Sequence, residues 1–117
     1  MAAEGVLVLV SVDPERSHRA NEAVRIALGI IAGENDVTIV FLGPATKLLD
    51  AAVEDYVDGE DAVKHLSTLV KLGQTFHVEG EAIPSGDDWN PHGATVVPVS
   101  TEEIADLVAQ SDRVLAF

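Results

Sequence analysis

Apolar residues in this chain alternate between short unbroken runs and helically spaced stripes. Residues 6–12 form a near-continuous apolar run, as expected for a strand covered on both faces. Asp13-Pro14 breaks it, with Asp13 placed as a cap and Pro14 at a first helical position. Val24, Ala27, Leu28 and Ile31 then recur at helical spacing, and Gly33 marks a stop. Residues 37–42 are a second uncharged, β-branched run, ended by Gly43-Pro44. Residues 45–57 carry a weaker helical stripe of Leu48, Leu49, Ala52 and Val53, closed by the turn signal Asp58-Gly59. Residues 60–72 predict a firmer helix, with Val63, Leu66, Leu69 and Val70 on one face and Gly73 as a left-handed stop.

Residues 75–78 read as a third, short strand. Residues 79–93 form the one long irregular segment, holding Pro84, Gly86, Pro91 and Gly93, and loops of this length inside a compact domain are usually functional or mobile. Residues 94–99 are a fourth strand. Ser100-Thr101-Glu102-Glu103 is a capping box, opening a helix that buries Ile104, Leu107 and Val108. Residues 113–117 are a final strand. Strands alternating with helices predict a three-layer α/β/α sandwich around a five-stranded, mostly parallel sheet, in the order 2-1-3-4-5. Residues 1–117 form one domain. Ligands of such sheets bind beyond the carboxyl ends of the strands, where residues 13–18, 43–47 and 79–92 should meet.

Composition narrows the function more than the fold. The hydrophobic fraction of 47% excludes a disordered chain, and with few aromatics the core must be built from Val, Leu, Ile and Ala. The first apolar run is too short to span a bilayer and lacks the flanks of a signal peptide, so a cytoplasmic protein is expected. The absence of cysteine excludes disulfides, thiol nucleophiles and Cys-ligated zinc. A net charge of −13 argues against nucleic acid and anionic membranes as partners, since no basic stripe offsets it.

Several segments resemble the DsrE/DsrF-like family of sulfur-relay proteins. Residues 21–33 are similar to its first helix, and residues 37–42, with Phe41 near the end, to its second strand. Leu72-Gly73 followed by Phe76-His77-Val78-Glu79-Gly80 resembles the strand leading to its sulfur site. Gly93-Ala94-Thr95-Val96-Val97, Ser100-Thr101-Glu102-Glu103 and residues 111–117 resemble its last two strands and last helix. In active members a cysteine at the tip of that third strand carries a persulfide; the matching position here is Glu79. A carboxylate cannot hold a sulfane sulfur. The resemblance therefore implies a non-catalytic assembly or accessory subunit, in a homo-oligomer or in a hetero-oligomer with related subunits.

Two other readings stay open. One is a small-ligand module, for a metabolite or nucleotide, whose binding residues at the carboxyl edge are Asp13, Arg16, His18, Gly43, Glu79, Gly80, Trp89 and His92. The other is a carboxylate enzyme in which Glu79 acts as acid or base with His18 or His92. No cofactor is implied: the segment after the first strand lacks glycine and carries two acids, which fits neither a phosphate cradle nor a dinucleotide fingerprint. No metal site is expected, because the histidines lack ligand spacing. His65 reads as a surface helix residue and His77 as a hydrogen-bonded strand residue. Trp89 either packs its own loop down or anchors a partner or ligand. Arg16 and Arg19 could hold an anionic ligand beside the start of the first helix, but pairing with the plentiful nearby acids is favoured.

Overall fold

The chain was analysed as a computed structural model that describes residues 5–117. Five strands, β1 (Gly5–Val10), β2 (Asp36–Phe41), β3 (Phe76–Glu79), β4 (Val96–Val99) and β5 (Arg113–Ala116), form one sheet. Three α-helices connect them: α1 (Arg19–Ala32), α2 (Gly59–Lys71) and α3 (Thr101–Gln110). Every strand pairing is parallel. The three-layer α/β architecture is therefore as the apolar pattern implies. Among the described residues no helix is long and apolar enough to cross a membrane.

The strand order is not 2-1-3-4-5 but β4-β3-β2-β1-β5. The physical reason lies in the handedness of the crossovers. The steps β1 to β2 and β2 to β3 go in the same direction, so right-handed connections put α1 and α2 on one face. There the two helices touch, with Asn21 of α1 beside His65 of α2 at 3.0 Å. The chain then reaches the edge strand β4 and returns across the whole sheet to β5. That reversed step places α3 on the opposite face. An order of 2-1-3-4-5 would instead have separated α1 from α2.

Local signals were followed closely in most places. Ser100 Oγ accepts the Glu103 N–H and Glu103 Oε1 accepts the Ser100 N–H, each at 3.1 Å, so the capping box forms in full. Gly73 takes φ +79 after α2. Three places differ. Asp13 caps a turn rather than the helix: its side chain accepts the Glu15 N–H and its carbonyl accepts those of Arg16 and Ser17, and α1 starts only at Arg19. After α1 the left-handed residue is Glu34 (φ 65), not Gly33.

The third difference is residues 45–57, which form two 3-10 segments, Gly43–Leu49 and Val53–Asp55, instead of a helix. The loop from 88 to 90 takes the backbone groups that a helix would need: Leu49 O accepts the Asn90 N–H, and the Ala51 N–H goes to Asp88 O. Gly59 then starts α2 pressed against the Val53 and Glu54 carbonyls, where any Cβ would collide.

The main core lies between the sheet and α1/α2. It holds Val6, Val8 and Val10 of β1, Ile39 and Phe41 of β2, and Phe76 and Val78 of β3. Ala23, Val24 and Ala27 of α1 and Leu66 and Leu69 of α2 close over them. The Phe41 and Phe76 rings stack with centroids 5.6 Å apart. A smaller cluster on the other face contains Leu7, Val40 and Val99, under the half-buried Ile104 and Leu107 of α3.

Candidate functional site

The carboxyl edge of the sheet brings together the ends of β1, β2 and β3. Glu79 is the last residue of β3, and its side chain points to the α3 face, since Phe76 and Val78 take the other. Glu79 Oε1 accepts the N–H of Gly43 at 3.0 Å. Gly43 has φ +51 and opens the first 3-10 segment, so its N–H is one of the donors that such a segment leaves without a partner. Thr46, buried within that segment, donates from Oγ1 to Gly43 O at 3.0 Å and so tightens the turn. Gly80 follows Glu79 directly and starts a further short 3-10 turn, Gly80–Ala82.

A polar cluster sits beside this contact. Lys47 reaches both Asp13 (3.3 Å) and Glu15 (2.9 Å), joining the segment after β1 to the one after β2. Burial alone would raise the Asp13 carboxyl, but the Glu15 N–H and the Lys47 ammonium outweigh it and hold it below its ordinary 3.8. The hydrogen bond to Glu15 lifts Lys47 above its ordinary 10.5, against the effect of desolvation. Tyr56 donates to Asp50 Oδ2 at 2.8 Å. Burial pushes its phenol well above 10.0, and the neighbouring Asp50 carboxylate pushes in the same direction. Arg16 only approaches Asp13, at 4.0 Å from an exposed position.

The long segment after β3 is pinned rather than free. Trp89 Nε1 donates to Thr46 O at 2.8 Å, its ring packs on the main core, and its backbone pairs with Asp50. Trp89 thus packs its own loop down. This draws the loop towards the first 3-10 segment and carries His92 to a cavity beside α2.

The candidate residues therefore divide. Glu79 and Gly43 touch, Gly80 adjoins them, Asp13 is held by Lys47 of the 3-10 segment that Gly43 opens, Arg16 reaches only Asp13, and Trp89 braces the same turn. His18 does not join them: it faces Glu22 of its own helix at 3.5 Å. Among the described residues neither His18 nor His92 hydrogen-bonds to Glu79, so no acid–base pair is assembled there. No group of three or more His, Asp or Glu among the described residues has an arrangement that could hold a metal. His65, expected at the surface, is half-buried against Asn21. His77, expected to be hydrogen-bonded, has a buried Nδ1 with no partner among the described residues.

Lys47, Thr46, Asp50 and Tyr56 were not picked out by sequence reasoning. Lys47 alone left a signal, as one of three lysines, inside a segment expected at the edge.

These features define an all-parallel α/β fold whose carboxyl-edge loops are tied to one another by a carboxylate, a lysine and a tryptophan. The sequence profile of the DsrE/DsrF-like family matches residues 4–117, and the chain belongs to that family. No curated protein matches it in sequence. Among solved structures, the crystal structure of the YchN protein from E. coli is similar with a TM-score of 0.70. The two are 17% identical over 97% of this chain and 99% of that chain, which shows a common fold.

Proposed function

We propose that this protein is a non-catalytic DsrE/DsrF-like subunit that works by assembly, as an accessory partner in a cytoplasmic sulfur-relay-type complex. The observation that carries the reading is the use made of Glu79. At the tip of β3, where the resemblance places the sulfur-carrying cysteine, the chain has a carboxylate whose oxygen accepts the Gly43 N–H. That contact holds the β2 turn against β3. It is a structural role, and it leaves no nucleophile for sulfur transfer.

The α3 face supports assembly. Val97, Val108 and Val114 stay 40%, 40% and 38% exposed on or around α3, the one helix on that face among the described residues. A second copy of the chain, or a related subunit, would remove this apolar surface from water. Val97→Lys should then break the assembly while the chain stays folded.

Native mass spectrometry on protein isolated gently from its own cells tests this. A homo-oligomer, or a mixed complex containing a cysteine-bearing relative, is the expected result. A strict monomer with no partner in its own extract overturns the reading.

A further inference from the structure

A cavity of about 310 Å³ lies between α2 and the loop before β4, away from Glu79. One wall is a stripe of α2, in which Val63, Leu66, Ser67 and Val70 fall at i, i+3, i+4 and i+7 and so share one side of the helix. Leu48, Leu49, Val53 and Ala94, all buried, form the floor. The facing wall is built rather than loose. Asn90, at φ 53, donates from Nδ2 to Ala94 O and accepts the Ala94 N–H at Oδ1, both at 3.0 Å. Its own N–H donates to Leu49 O at 2.7 Å. The cavity is thus held open by a cross-braced loop, and its volume is at the lower end of the range for small-molecule pockets.

The charges on the rim are sorted along its length. Glu54 stands at the start of α2, where Gly59 packs on its carbonyl. Lys71 is the last residue of α2. Phe76 N–H donates to Thr95 O at 2.8 Å, which puts the end of this loop at the amino edge of the sheet. That is also where α2 ends, because a crossover helix runs antiparallel to its strands. Lys71 therefore stands at one end of the cavity and Glu54 at the other, and His92 lies three residues before Thr95 on the loop that runs to the Lys71 end. In a chain with 20 acids, neither Lys71 nor His92 has an ion-pair partner among the described residues.

We propose that this cavity binds a small monocarboxylate with an apolar body. The carboxylate sits at Lys71 and His92, and the body lies along the Val63–Val70 side of α2. From Val63 to Lys71 the helix rises about 12 Å, which sets the length of the ligand. The cavity is too small for a peptide helix, whose diameter alone is about 10 Å. Glu54 and the acidic surface disfavour polyanions such as nucleotides. This site is independent of the assembly role, so it stands or falls by its own test.

The test is an NMR titration of the intact chain with octanoate, and with octanol as the uncharged control. Octanoate should give saturable amide shifts at 63–71 and 90–94. Lys71→Gln, at an exposed position, should weaken octanoate about fivefold and leave octanol unchanged. Ser67→Phe, which fills the cavity from its rim, should abolish the shifts with both. The proposal is overturned if octanoate gives no saturable shifts. It is equally overturned if the shifts map to Val97, Val108 and Val114, or if Lys71→Gln binds octanoate as well as the parent chain does.

Discussion

The two faces of the sheet are built from the same strands and end in different states. On the α1/α2 face, Val8, Val10, Phe41, Phe76 and Val78 are fully shut off from water, and two helices joined by Asn21 and His65 cover them. On the α3 face α3 is the one α-helix among the described residues, and none of its residues is buried. Ile104 and Leu107 hold it on Leu7, Val40 and Val99, while Val97 and Val114 keep 40% and 38% of their surface exposed. His77 lies on this face between Val40 and Val97, with its Nδ1 buried and without a hydrogen-bond partner among the described residues. A parallel sheet is apolar on both sides and needs cover on both. One face achieves it within the chain, and the other is left short by about one helix.

The sharpest way to break this contrast is to delete one side chain from each face. Phe76→Ala, in the stacked centre of the main core, should destabilise the fold by about 3–5 kcal/mol in urea denaturation. Ile104→Ala should cost less, about 1–2 kcal/mol, because that side chain is only partly buried. Equal losses at the two positions would mean that α3 is packed as firmly as α1 and α2.

Hydrogen exchange sharpens the same point without a mutation. Amides of α3 should exchange through local opening well before those of α2, which open only with the global unfolding.

A smaller effect belongs to the loops that enter the α1/α2 layer. The folded-state pKa of Asp13 lies below 3.8, so its pairing with Lys47 adds stability that is complete above the unfolded value. That contribution is lost as pH falls through the folded value. Asp13→Asn should therefore be less stable than the parent at neutral pH by under about 1 kcal/mol, and the gap should close in acid. A gap that persists unchanged to the lowest pH would show that the carboxylate charge is not what matters.

Smallest of all for the monomer is Val97→Lys, within about 0.5 kcal/mol, since the site is already exposed. Its effect on assembly, read by native mass spectrometry, should nonetheless be complete dissociation. A variant that assembles normally would remove the α3 face as the contact surface.

Much of the fold was legible because its signals are local. The capping box at Ser100, the stop at Gly73 and the stripe Val63, Leu66, Leu69 each depend on residues a few positions apart. Residues 45–57 misled for the opposite reason: Leu49 and Ala51 make backbone hydrogen bonds with Asn90 and Asp88, 41 and 37 positions away, and that competition leaves no periodic trace. The candidate site was half legible. Glu79 and Gly43 were expected at the same edge, and they touch. His92 was expected there too, but the bonds of Trp89 and Asn90 turn its loop towards α2.

Periodicity along the chain was enough to specify five strands, the parallel α/β class and the identity of Glu79 at the end of β3. The information for each lies within one element, where geometry repeats every two or 3.6 residues. The strand order, the uneven cover of the two faces, the acceptor role of Glu79 and the cavity beside α2 came only with the folded chain. Each of these depends on which distant segments meet, and that is set by crossover handedness and by competition for backbone hydrogen bonds.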